Sequence, residues 1–70
     1  MRLNYNNSLK TLGRQSVRLV TTLYEENKPV FHLEDVRRIL DLQELPASSF
    51  MRQLVNRGVA TRLKPGLFIL

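Results

Sequence analysis

The feature that most constrains this fold is a turn near the end of the sequence, Lys64-Pro65-Gly66, which separates two short β-prone runs. Proline and then glycine at the two central positions favour a tight reversal, because proline fixes φ and glycine accepts a positive φ. The runs on either side, residues 59–63 and 67–70, therefore predict a β-hairpin. An isolated hairpin is marginally stable in water, so these strands must pack on other elements of the chain.

The first helix is predicted to begin after Gly13 and to end near Asn27. Its end is set by Lys28, because a residue that precedes a proline avoids the helical region. Apolar residues recur at helical spacing along this segment. The predicted stripe consists of Ser16, Leu19, Val20, Leu23 and Tyr24.

A very short strand at Val30-Phe31 is predicted to lead directly into a second helix, which begins near Leu33. Glu34 and Asp35 fall in the first turn of that helix, where negative charge is stabilised by the helix dipole. The predicted break after it covers residues 41–44. The buried side of the second helix is predicted at Leu33, Val36, Ile39 and Leu40.

The third helix is predicted to have Pro46 in its first turn and Gly58 as its left-handed cap. Its core face is predicted at Phe50, Leu54 and Val55, with Ala47 and Met51 at the margins.

The predicted order is helix, short strand, helix, helix, strand, wing, strand. This order is typical of a winged helix-turn-helix domain, a mainly α fold with a small β-hairpin (α+β). We assign the domain to residues 12–70 and a loose arm to residues 1–11.

Charge is distributed unevenly along the chain, whose net charge is +5. Residues 1–24 carry four cations and no acid, residues 25–44 carry all six acids with three cations, and residues 45–70 carry four cations and no acid. Such blocks predict a basic face that attracts a polyanion, most often nucleic acid. The alternative is a solvated surface whose charge only keeps the protein soluble.

The polar face of the third helix is the main candidate for DNA contact. Arginine bonds guanine O6 and N7 together, and asparagine or glutamine pairs with adenine. Serine near a helix start reaches phosphates or base edges. An ordinary solvated face is the alternative interpretation. The predicted contact residues are Ser48, Ser49, Arg52, Gln53, Asn56 and Arg57.

The hairpin tip is the second candidate, with Arg62 and Lys64 beside the Pro65-Gly66 turn. We expect this wing to lie along the DNA backbone or the minor groove. In the alternative interpretation the cations only prevent association at a sheet edge.

Other classes of function have little support in the sequence. There is no cysteine, and the one histidine, His32, is predicted to cap or pack at a helix start. No metal-ligand spacing or phosphate-cradling glycine loop is present, so we expect no metal, no cofactor and no enzymatic activity. No apolar run approaches the roughly 20 residues that span a bilayer, so no membrane partner is expected. A transit peptide is the less favoured interpretation of residues 1–24.

Four runs, at residues 31–36, 39–40, 54–59 and 62–68, carry a pattern that resembles a known family. The chain is similar over residues 12–70 to the N-terminal winged-helix domain of the AbiEi-type antitoxins of bacterial toxin–antitoxin and abortive-infection systems. It departs from the family pattern at His32, where a hydroxyl residue usually caps the helix, and at Lys64-Pro65, where the wing often carries two cations.

The resemblance implies a bacterial cytoplasmic DNA-binding domain that represses its own operon and precedes a larger antitoxin domain. We therefore predict a sequence-specific module for double-stranded DNA, in which Arg57, Arg62 and Lys64 mainly hold the backbone. A second copy (a homodimer), a cognate toxin and the larger antitoxin domain are further expected partners. The alternative function is a winged-helix protein–protein interaction module without DNA binding. Because Leu70 ends the sequence on an apolar strand, we expect either an excised piece of a longer protein or a truncated relative of the family.

Overall fold

A computed structural model of the chain contains three helices and a three-stranded antiparallel sheet. It describes residues 2–70, and of residues 2–12 it gives only the helical span. The arm predicted for residues 1–11 therefore lies outside the residues whose side chains are described. In chain order the elements are α1 (Arg2–Glu25), β1 (Val30–His32), α2 (Leu33–Leu40), α3 (Glu44–Asn56), β2 (Thr61–Lys64) and β3 (Leu67–Ile69).

The helix α1 is interrupted at Gly13, whose φ of 79° and ψ of 172° are not helical. The predicted helical period after Gly13 is confirmed, and Leu19 and Leu23 are fully buried. The prediction for Tyr24 is wrong, because this side chain is 81% exposed. Tyr24 lies one residue, or about 100°, around the helix from Leu23 and so falls outside the buried stripe.

Each helix ends at a residue in the left-handed region, namely Asn27, Asp41 and Gly58. Beyond α3, the N–H of Val59 donates to the carbonyl of Leu54 at 2.9 Å, which closes the helix in a Schellman motif. The same bond pattern follows Asn27 in α1. The predicted helix ends at Asn27 and Gly58 are therefore confirmed.

The sheet has the strand order β1-β3-β2, so the predicted hairpin of β2 and β3 gains a third strand. Phe31 in β1 pairs with Phe68 in β3, and the two ring centroids lie 5.7 Å apart in a stacked arrangement. The carbonyl of Gly66 accepts a hydrogen bond from the N–H of Leu33 at 3.0 Å. This bond ties the turn of the hairpin to the first residue of α2.

The core lies between the helices and the inner face of the sheet. The buried face of α3 differs from the predicted one. Ala47, Met51 and Leu54, spaced at i, i+4 and i+7, are the buried residues of this helix. Phe50 and Val55 flank that line and are half-buried. The buried apolar residues are Leu19, Leu23, Phe31, Val36, Ile39, Leu40, Ala47, Met51, Leu54, Ala60 and Phe68.

Candidate nucleic-acid interface

The helix α3 begins at Glu44, two residues before Pro46, which was predicted to lie in its first turn. Pro46 still falls in the first turn, where the backbone N–H groups have no partner within the helix and a missing one costs nothing. The earlier start brings Glu44 into a helix that was expected to carry no acid, so that expectation is wrong. Glu44 is exposed and precedes Ser48 by one turn, on the flank of the helix.

One exposed row runs along α3 opposite its buried line. Leu45, Ser49, Arg52 and Asn56 follow the spacing i, i+4, i+7 and i+11, and all four are exposed. Residues at these offsets lie above one another on a helix surface. We name these four residues the α3 stripe. The stripe therefore brings together three of the predicted contact residues, and it adds a leucine that was not predicted.

The other predicted residues of this region lie beside the stripe. Gln53 and Arg57 line a groove of about 250 Å³ between α3 and the start of the second part of α1, together with Arg14. Ser48 lies on the opposite flank and is exposed. The six predicted side chains are thus spread over three adjacent rows and the end of the helix. Only the middle row faces directly away from the core.

The hairpin carries its two predicted cations, Arg62 and Lys64, on the exposed edge strand β2. Arg62 pairs with Phe68 and Lys64 with Leu67, with a bulge between the two pairs. Directly paired residues project from the same face of a sheet. Because Phe68 and Leu67 alternate, the bulge directs Arg62 and Lys64 to opposite faces. A single flat surface therefore contacts one of them more readily than both.

A cluster of ion pairs joins the end of α1 to α2. The Nζ atom of Lys28 lies 2.9 Å from Oδ1 of Asp35. Arg38 donates to the same oxygen at 3.3 Å and to both carboxylate oxygens of Glu26 at 3.0 and 3.1 Å. We name these four residues the α1–α2 charge cluster. It connects two consecutive helices across the short segment and the strand β1 that separate them.

Asp35 is the buried centre of this cluster, with 7% of its surface exposed. Its Oδ2 atom accepts the backbone N–H of His32 at 2.8 Å, so the carboxylate also caps α2. The His32 side chain is exposed. Capping at this helix start is therefore performed in part by Asp35, which the sequence analysis had placed there only for its charge.

Burial acts to raise the pKa of Asp35, but the hydrogen bonds from Lys28, the His32 N–H and Arg38 together hold that pKa below its ordinary value. The hydrogen bond from Arg38 lowers the pKa of Glu26 in the same way. Both carboxylates are therefore ionised at neutral pH, and their hydrogen bonds raise the pKa of Arg38.

Within the described part of the chain, the cations Lys28, Arg37 and Arg38 form ion pairs with acids of the middle segment. Arg52, Arg62 and Lys64 form no ion pair with the described residues. The acid-rich middle of the sequence therefore neutralises its own cations. The positive charges of Arg52, Arg62 and Lys64 are left to face solvent.

Leu45 is the residue of this surface that the sequence analysis missed. It is 81% exposed in the first turn of α3. Its position four residues before Ser49 is the signal that would have placed it on the polar face. The prediction placed Pro46 in the first turn of the helix and assigned no role to Leu45.

Neither a metal centre nor a membrane-spanning element is found in the part of the chain that the structure describes. No three metal-ligating side chains come together there. No helix of that part combines the length and the apolar character needed to cross a bilayer.

Comparisons of this chain with protein-family models, with curated proteins and with solved structures found no match. The assignment of function therefore depends on the geometry described above and on the resemblance stated for the sequence.

Proposed function

We propose that this chain is a winged helix-turn-helix domain that binds duplex DNA with sequence preference. The observation that carries the proposal is the α3 stripe, in which Arg52 is exposed, has no acidic partner among the described residues and lies between Ser49 and Asn56. Two further features support it: the order of elements and the strand order β1-β3-β2 are compatible with this fold.

In the proposed complex α3 lies in the major groove, which is about 12 Å wide and admits a helix. Arg52 donates to guanine O6 and N7, and Asn56 pairs with the edge of an adenine. Ser49 donates to a phosphate or a base edge. Gln53 extends base contact from the flank of the stripe, where Ser48 also reaches the backbone.

The remaining cations bind phosphates in this proposal. Arg57 follows the last turn of α3, and Arg62 and Lys64 occupy the edge strand of the hairpin. Phosphate contacts fix the position of a protein on DNA and carry no sequence information directly. Because the bulge separates the faces of Arg62 and Lys64, we expect one of them to contribute more than the other.

The biological setting proposed for this binding comes from the family resemblance. A DNA-binding domain of the AbiEi type would act as a bacterial cytoplasmic repressor of its own operon, joined to a larger antitoxin domain. The residues that carry the resemblance include 54–59 and 62–68, which form the end of α3 and the hairpin. These are also the elements assigned here to DNA contact.

The test is a titration of the 70-residue chain into labelled random duplex DNA across a salt series, beside Arg52→Ala/Lys64→Ala. Release of counterions predicts a log–log slope of about −4 to −6 for the parent chain and a shallower slope for the double variant. Circular dichroism establishes that both proteins are folded. Absent or salt-insensitive binding by the folded parent chain would refute the proposal.

A second candidate function is protein–protein interaction through a different surface. Tyr24 (81% exposed) and Leu70 (37% exposed) border a hollow of about 310 Å³ at the end of α1, which is also lined by Leu23, Pro29 and the polar residues Asn27 and Lys28. Contiguous exposed apolar side chains are typical of interaction sites. Sedimentation across a concentration series, beside Tyr24→Ser, distinguishes this candidate: a self-association that the substitution removes supports it, and a monomer throughout contradicts it as a homodimer surface.

A further inference from the structure

Leu45 is an exposed leucine in a row that is otherwise polar. The side chain is 81% exposed, whereas Ala47, two residues later, is fully buried. An exposed leucine gains nothing from the core, and the fold does not require it at this position. The residues that follow it along the stripe are Ser49, Arg52 and Asn56, and each of them offers hydrogen bonds.

The position of Leu45 in α3 also indicates how it could contact DNA. Leu45 is the second residue of α3 and therefore lies in the first turn. In helix-turn-helix proteins the N-terminal residues of the second helix contact base edges in the major groove. If α3 enters the groove as proposed above, Leu45 is among the side chains that penetrate it.

The chemistry of the major groove selects one target for such a side chain. Guanine, cytosine and adenine present polar atoms along that groove, and thymine alone adds a C5-methyl group. Placing a leucine against a polar edge would remove hydrogen-bonding groups from water without replacement. Placing it against the thymine methyl group buries apolar surface on both partners.

We propose that Leu45 is a specificity-determining residue that recognises the C5-methyl group of a thymine in the bound DNA. The proposal rests on the DNA-binding function proposed above. Leu45 and Arg52 are seven residues apart, or about 10 Å along the helix axis. The thymine should therefore lie within about three base pairs of the guanine contacted by Arg52, because base pairs are spaced about 3.4 Å apart.

The experiment uses the full chain and a duplex obtained by selection from random sequence. Each thymine of the selected site is replaced in turn by deoxyuridine, which removes the methyl group and leaves the hydrogen-bonding edge unchanged. Dissociation constants are measured for the parent chain, for Leu45→Ala and for the matched control Val17→Ala. Val17 is also an exposed apolar residue of a helix, and it lies in α1, to which no DNA contact is assigned.

We expect one thymine position at which loss of the methyl group weakens binding by the parent chain about 3- to 5-fold. Leu45→Ala should weaken binding to the thymine duplex by a similar factor and should be insensitive to the replacement. Val17→Ala should behave like the parent chain. Non-additivity of the two changes is the sign that the leucine and the methyl group are in contact.

Two results would overturn the inference while leaving the proposed function intact. In the first, no deoxyuridine replacement affects a chain that binds the selected duplex. In the second, Leu45→Ala retains full sensitivity to the methyl group. A concentration-dependent dimer that Leu45→Ala dissociates would assign the leucine to a protein contact instead. Failure of the folded parent chain to bind any duplex refutes the proposed function itself.

Discussion

The α1–α2 charge cluster and the surface formed by α3 and β2 both carry cations. Those cations differ in whether carboxylates of the same chain pair with them. Lys28 and Arg38 lie within 3.3 Å of carboxylate oxygens that their own fold supplies. Arg52 and Lys64 have no carboxylate partner among the described residues. The comparison teaches that net charge is a poor measure of the charge that a partner can use. Cations already paired within the fold release fewer counterions on binding a polyanion.

The two regions also differ in what their charges do for the fold. Asp35 is almost completely buried and caps a helix, so its ion pairs connect α1 to α2. Truncating one member of a buried pair leaves its partners poorly compensated. The side chains of Arg52 and Lys64 are exposed, and surface residues of this kind contribute little to stability. One region therefore stabilises the domain, and the other is available for binding.

The largest expected effect comes from comparing two double variants that remove equal charge, one from α3 and β2 and one from the paired cations in and beside the α1–α2 charge cluster. Arg52→Ala/Lys64→Ala should make the log–log salt slope of DNA binding shallower by about 1, because Lys64 binds phosphate, and should weaken affinity roughly 50-fold near 0.1 M salt because the guanine contact of Arg52 is lost as well. Lys28→Ala/Arg37→Ala should alter affinity by less than about 3-fold, because both cations are already paired. The measurement is fluorescence anisotropy across a salt series. Equal losses in the two variants would show that binding follows net charge alone.

A smaller effect, on stability, is expected from Asp35→Ala in the α1–α2 charge cluster. It removes the acceptor of Lys28, Arg38 and the His32 N–H, and it should lower the free energy of unfolding by about 2 kcal/mol. Urea denaturation measures this change. The matched control is Glu34→Ala, whose exposed pair with Arg37 is worth less than about 1 kcal/mol. The salt slope of DNA binding should be unchanged for both variants when they are folded. A stable Asp35→Ala domain would contradict the structural role of the cluster.

The smallest expected effect is the dependence of stability on pH. The pKa of Asp35 and that of Glu26 are lower in the folded chain than in the unfolded chain, so the unfolded chain binds more protons in acid. The stability that these groups provide is complete above their ordinary pKa values and is lost as the pH falls below about 4. Thermal unfolding from pH 6 to pH 2.5 measures it, and Asp35→Asn should flatten the curve. An identical acid dependence in that variant would show that other carboxylates are responsible.

Local features of this fold were predictable because they depend on residues close in sequence. The Pro65-Gly66 turn, the left-handed cap at Gly58 and the helix end near Asn27 depend on backbone preferences of a few residues. The order of the helices and strands follows from the spacing of apolar residues along the chain. The exposure of all eight predicted DNA-contact residues also agrees with their polar character.

Tertiary packing decided the features that sequence spacing left open. The buried line of α3 centres on Ala47 and Met51 rather than on Phe50, because neighbouring elements determine which side of a helix is covered. The pairing of Phe31 with Phe68, the bulge that separates Arg62 from Lys64, and the ion pair of Glu26 with Arg38 each depend on register or on contacts between distant segments.

The sequence by itself therefore determined where this chain turns, where its helices end and which segments are basic, since those properties reside in neighbouring residues. Only the tertiary structure decided which cations form ion pairs and which side of α3 is exposed. Pairing of charges and exposure of a face are properties of how segments meet in space. Those contacts are set by the collective packing of the core.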